Sequence, residues 1–221
     1  MSALRLPVGG DVGDVSAILL RPDDAWGGYV LAHGAGAGMR HRFMEAIAQA
    51  LAARGMATLR YQFPYVEARS RRPDPPGVLE ATVRAAVGRA RELLPDLPLV
   101  AGGKSMGGRM TSNAAAHRPL DGVRALVFLG FPLHPPRRPA TSRAEHLERV
   151  EVPMLFFQGT RDDLTDLGLM TGVCHRLGPR ATLHVVEGAD HGFSVLKRSG
   201  RTDAEVLDEL AATITEWVRR V

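Results

Sequence analysis

A chain of 221 residues, 45% apolar and 24% charged, has the composition of an ordinary globular protein and the length for one substantial core, so a single domain over 1–221 is expected. Its formal charge of +4 comes almost wholly from arginine, Lys104 and Lys197 being the only lysines, and no nucleic-acid motif accompanies it; nucleic-acid binding is not expected. The single cysteine, Cys174, excludes an intrachain disulfide, no apolar run approaches the roughly 20 residues that span a bilayer, and Met1–Arg5 lacks a signal-peptide core, so the expectation is a cytoplasmic protein away from membranes.

In chain order, the amino-terminal stretch reads as two short strands, near 3–8 and 16–21, separated by the Gly9-Gly10-Asp11 turn. Tyr29-Val30-Leu31-Ala32 is a further strand that runs into the glycine-rich turn His33-Gly34-Ala35-Gly36-Ala37-Gly38. Phe43, Ile47 and Leu51 recur every four residues in a helix that Gly55 can end, and Val83, Val87 and Leu94 mark a second helix. Between them, segment 64–77 carries Arg69, Arg71 and Arg72 among four prolines.

Pro98-Leu99-Val100-Ala101-Gly102 predicts a short buried strand, followed by Gly103-Lys104-Ser105-Met106-Gly107 and then a helix through Ala116. Segment 132–143 again holds four prolines, with Arg137 and Arg138. Met154-Leu155-Phe156-Phe157 precedes Gln158-Gly159-Thr160-Arg161-Asp162-Asp163, and Leu183-His184-Val185-Val186 precedes Gly188-Ala189-Asp190-His191-Gly192-Phe193. The last helix opens on Thr202-x-x-Glu205, a capping box, and should bury Val206, Leu210, Ile214 and Trp217. This alternation of strands and helices predicts a mainly parallel sheet covered on both faces, with functional residues at the carboxyl ends of the strands.

G-x-S-x-G between a strand and a helix is a nucleophile elbow: the serine sits on a strained turn, and only small residues fit two positions to either side. Ser105 fills the serine position, with Gly103 and Gly107 beside it. A serine that merely caps a helix would need no partners, whereas here an acidic segment and a histidine segment follow, each after a strand. The run Gly-Lys-Ser is not a P-loop, because position 98 is proline where that motif needs glycine; Met39 breaks any G-x-G-x-x-G dinucleotide fingerprint; and the histidines lack metal-ligand spacing. No cofactor and no metal are therefore expected.

The segments HGAGAGMRHRFM, GGKSMGGRM, QGTRDDL and ADHGF, with serine, acid and histidine in that order, resemble the α/β-hydrolase superfamily near its dienelactone-hydrolase-like members. More narrowly they are similar to a small branch of hydrolase-like proteins that includes a histone-acetyltransferase complex subunit and a testis-expressed protein. The resemblance covers roughly 28–221. It implies an α/β-hydrolase fold, Ser105 as nucleophile, Asp162 as orienting acid, His191 as base, and the backbone N–H groups of Ala35 and Met106 as the oxyanion hole. Asp163 is the alternative acid; otherwise it would cap the following helix, striped by Leu164, Leu167 and Val173. His33 is expected to be architectural and Cys174 a packing residue. Segment 132–143 lies where larger relatives insert a lid, and about a dozen residues leave room for none.

The expected activity is a lidless serine esterase or thioesterase acting through an acyl-enzyme on a small-molecule substrate. An acyl transferase would use the same triad, and a hydrolase scaffold can instead serve as an interaction module, so a protein partner stays open. Arg40, Arg42, Arg69, Arg71, Arg72, Arg137 and Arg138 fall where the mouth of the site should be, either as an anion-steering cluster or as the solvated surface of an arginine-rich protein.

Overall fold

The computed structural model describes residues 1–221, the side chain of Asp11 excepted. Eight strands form one sheet: β1 (Ser2–Pro7), β2 (Asp14–Leu20), β3 (Gly27–Ala32), β4 (Met56–Tyr61), β5 (Leu99–Lys104), β6 (Val123–Leu129), β7 (Met154–Gly159) and β8 (Ala181–Val186). Their spatial order is β1-β2-β4-β3-β5-β6-β7-β8. β2 is antiparallel to both β1 and β4, and every other pairing is parallel, so a single strand runs against the rest.

β3, β4 and β7 are buried along their whole length, as strands covered on both faces must be. Alternate residues feed two separate cores. Tyr29 and Leu31, Val127 and Leu129, and Leu155 and Phe157 pack with Met44, Ile47 and Leu51 of helix α1 (Arg42–Ala52) and with Val206, Leu210 and Ile214 of helix α6 (Asp203–Val218). Val30, Leu126, Phe128 and Phe156 face the other way, toward helices α3 (Pro76–Leu93), α4 (Met106–His117) and α5 (Leu167–Leu177).

The helix signals act as their chemistry requires, with local differences. Gly55 follows the end of α1 with φ 73°, and its space is bounded by Trp26, whose Cδ1 would lie 2.8 Å from an added Cβ. The α6 capping box forms, with Thr202 Oγ1 accepting from Glu205 N and Glu205 Oε2 accepting from Thr202 N. Trp217 is only half-buried, because Val218 takes the inward position while the indole Nε1 donates to Thr182 Oγ1 at 3.1 Å. Segment 64–77 is more than a connection: it contains the short helix α2 (Pro64–Glu67) and the first residues of α3, each entered through proline.

Between β6 and β7 the chain makes only a 3₁₀ segment, Ser142–Arg149, and no lid domain is present among the described residues. No helix among them is long and apolar enough to cross a membrane.

Candidate active site

Ser105 joins β5 to α4 with φ 50° and ψ −119°, a backbone region that side chains rarely occupy. Close packing holds it there. A Cβ on Gly103 would lie 2.1 Å from Ala32 O, and one on Gly107 would lie 2.5 Å from His33 O, so β3 and its following turn press against both arms of the elbow. Any larger residue at either position would have to push the strand away.

The residues singled out at the ends of β5, β7 and β8 meet. His191 Nε2 is 2.8 Å from Ser105 Oγ, and His191 Nδ1 is 2.8 Å from Asp162 Oδ2. A carboxylate can only accept, so Nδ1 carries the proton and Nε2 is left to accept from the serine hydroxyl. The Asp162 side chain is 1% exposed. Its burial is compensated by Gln158 Nε2, which donates to Oδ2 at 2.8 Å, and by Leu164 N, which donates to Oδ1 at 2.8 Å.

Asp163 is exposed and does not cap α5. That role belongs to Asp166, whose Oδ1 accepts from Leu169 N at 2.9 Å. The helix starts three residues later than the sequence suggests because Asp162, Thr165 and His134 organise the intervening turn: Thr165 Oγ1 donates to Phe131 O at 2.5 Å and His134 Nε2 accepts from Asp166 N at 2.8 Å.

The turn after β3 lies against the elbow, since a Cβ on Gly34 would be 3.5 Å from Ser105 Cβ. Ala35 is exposed, Met106 is buried, and neither N–H donates a hydrogen bond among the described residues. Residues of the β4 end fix this turn. Gln62 Oε1 accepts from Met39 N at 2.7 Å, Arg60 Nη1 donates to Met39 O at 2.9 Å, and Tyr65 Oη accepts from Gly36 N at 3.4 Å. His33 is wholly buried; Nε2 accepts from Phe63 N at 3.1 Å, which leaves Nδ1–H to donate to Gly34 O at 2.8 Å. Burial lowers its pKa to about 4 and so keeps it neutral.

Two side chains that the sequence reading passed over hold the centre together. Gln158, four residues before Asp162, is buried and bridges Asp162 to Phe131 N, which donates to its Oε1 at 3.0 Å. Lys104, next to Ser105, reaches across to donate to His191 O at 2.5 Å, with its Nζ 5.3 Å from the centroid of the Phe193 ring. Burial lowers the Lys104 pKa to about 8, while the charges of Asp162 and Asp190 pull it back upward. Neither residue could be singled out from spacing alone. Cys174 lies half-buried on α5, its thiol pushed up to about 11 by burial, and takes no part in the centre.

All seven arginines named for the mouth are exposed. Arg42 alone among them lines a groove of about 400 Å³, which runs between the start of α1, the residues just after His191 and the start of α6.

The alpha/beta hydrolase domain family matches residues 27–219 of this chain. Among solved structures, a dienelactone hydrolase from Anabaena variabilis is similar at a TM-score of 0.77 and 23% identity, over 99% of this chain and 96% of that one. An alpha-beta serine hydrolase homologue from Coxiella burnetii matches at 0.76 and 19%, over 96% of each chain. A Xanthomonas campestris serine hydrolase without a lid matches at 0.74 and 22%, over 98% of this chain and 94% of that one. The structural likenesses carry the fold, and the family match over nearly the whole parallel sheet carries membership: this chain belongs to the alpha/beta hydrolase domain family.

Proposed function

We propose that the protein is a serine hydrolase that cleaves an ester or thioester through an acyl-enzyme on Ser105. The observation that carries this reading is the continuous hydrogen-bonded path from Ser105 Oγ through both His191 nitrogens to Asp162. His191 Nε2 takes the Ser105 proton as Oγ bonds to the substrate carbonyl carbon, and the Ala35 and Met106 N–H groups receive the developing oxyanion. The bond to the leaving oxygen or sulfur then breaks, and the proton on Nε2 passes to that atom. Water, deprotonated by the same nitrogen, attacks the acyl carbon; its bond to Ser105 Oγ then breaks, Nε2 returns the proton to Oγ, and the acid is released. Asp162 keeps the imidazole in the tautomer these steps need and balances the imidazolium.

Incubation with a fluorophosphonate followed by intact and peptide mass tests the assignment: one adduct on Ser105 is expected. Its absence from folded protein would overturn the reading and leave the interaction role, suggested by the resemblance to the acetyltransferase-subunit branch, as the better one. Release of free acid, rather than transfer to an added alcohol, separates hydrolysis from acyl transfer.

A further inference from the structure

We propose that the groove beside His191 is the leaving-group subsite and that it selects esters or thioesters of apolar alcohols or thiols; this rests on the hydrolase reading above. The groove is about 400 Å³, and Phe43, Ala46, Phe193, Ala204 and Leu207 give it its apolar lining. That volume falls in the range of small-molecule sites.

Its position assigns the half of the substrate it takes. In the acylation step His191 Nε2 must hand its proton to the leaving atom, so that atom is the substrate atom nearest the imidazole. The chain leaves His191 through Gly192, Phe193 and Ser194, and these three residues form one wall of the groove. His41, Arg42 and Phe43, a few residues beyond the turn that lies against Ser105, line it as well. Neither Ser105 nor His191 lines the groove, which begins one residue past His191, so a substituent on the leaving atom would reach it by extending past the imidazole.

Its chemistry assigns the class. Asp203, Ser194 and His41 at its edge already have partners: Asp203 Oδ1 accepts from Val195 N at 2.8 Å, Asp203 Oδ2 from Ser194 Oγ at 3.0 Å, and His41 Nδ1 from Phe43 N at 3.3 Å. What remains is apolar surface together with the exposed guanidinium of Arg42, which makes no hydrogen bond or ion pair among the described residues. Phe43 and Phe193 stack with centroids 5.7 Å apart and planes 17° apart, so the start of α1 and the loop after His191 meet in an aromatic pair beside the groove. Phe193 holds φ 63°, a costly conformation for an aromatic residue, with its N–H donating to Asp190 O at 2.9 Å while Asp190 Oδ1 accepts from Gly192 N and Ser194 N. The residue is only 3% exposed and packs against Phe43 and Lys104, so the strained loop seats this ring in the core beside the groove.

A leaving-group subsite has a kinetic signature that an acyl subsite lacks, because the alcohol has departed before water attacks. Its contacts act on kcat/KM, which ends at acylation, and leave deacylation untouched. The test measures acetate esters from methyl to hexyl, and methyl esters from acetate to hexanoate, in the wild type, A46W and A204W. All rates are counted per fluorophosphonate-labelled Ser105, so a misfolded fraction drops out. The wild type should gain about threefold in kcat/KM per methylene along the alcohol series. Both tryptophan variants should flatten that series and leave the acyl series with its wild-type slope. A flat alcohol series in labelled wild-type protein, or tryptophan variants that change the acyl series instead, would overturn the subsite. Failure of Ser105 to label overturns the hydrolase reading and the subsite with it.

Discussion

The ammonium of Lys104 donates a hydrogen bond to the backbone carbonyl of His191, 2.5 Å away, so the residue beside the elbow serine also grips the loop that carries the histidine. The contact is tight on all sides. A Cβ on Gly130 would lie 3.1 Å from Lys104 Nζ and 3.4 Å from His191 Cε1, and Phe193 faces the same ammonium. One buried cation therefore couples the ends of β5, β6 and β8.

Replacing this cation should separate activity from stability. Lys104→Met keeps the aliphatic bulk and removes the donor, so ester turnover should fall about tenfold through loosened placement of His191. The melting temperature should not fall, because a buried ammonium with no carboxylate in contact is itself costly. Burial lowers the Lys104 pKa to about 8, so the unfolded chain binds the extra proton between about 8 and 10.5 and wild-type stability should rise with pH across that window. Thermal melts from pH 7 to 10 should show this rise in the wild type and lose it in Lys104→Met; an equal rise in both would remove Lys104 as its source.

Ser105→Ala and His191→Ala should each lower turnover by at least about a thousandfold, and the double variant should be little worse than either, since the two act as one unit. Initial rates on a p-nitrophenyl ester, with folding checked by circular dichroism, measure this. Additive losses would contradict the shared unit.

Asp162 and Asp163 should part clearly. Asp162→Asn disfavours the His191 tautomer and should cost about a thousandfold or more in kcat. Asp163→Asn should leave kcat and stability at wild-type levels, because the exposed side chain caps nothing. Asp166→Ala, which removes the α5 cap, should instead lose about 1 kcal/mol of stability. Paired kinetics and urea unfolding read all three variants, and a kinetic loss at Asp163 would move the acid there.

Acid should destabilise the fold through His33 and His146. Burial leads in lowering both from 6.5 to about 4, with Arg109, Arg149 and His117 adding to the effect at His146. The unfolded chain takes up these protons first, so their contribution is complete above about 6.5 and is lost as the pH falls toward about 4. Melting temperatures at pH 7, 6, 5 and 4 should drop through that window. His146→Gln, at a half-buried ring bonded to Ser112 Oγ, should reduce the drop. A melting temperature constant from pH 7 to 4 would contradict both assignments.

The elbow, the capping box of α6 and the strand-helix alternation were legible in the sequence because each rests on neighbours. Gly103 and Gly107 flank Ser105, Thr202 and Glu205 lie within one helical turn, and apolar periodicity repeats within each element. The order of Ser105, Asp162 and His191 carried the fold class for a related reason: a parallel sheet brings successive strand ends to one edge. The start of α5 was misread because it hangs on distant groups. Asp162 is taken up by His191 and Gln158, and His134 accepts from Asp166 N, so the cap falls on Asp166. Lys104 meets His191 across 87 positions, and the groove forms only where the starts of α1 and α6 approach the loop after β8. Local chemistry fixes elements and their ends, whereas the partners of a buried charge and the walls of a cavity are set by which elements pack together, and packing is decided by the whole chain at once.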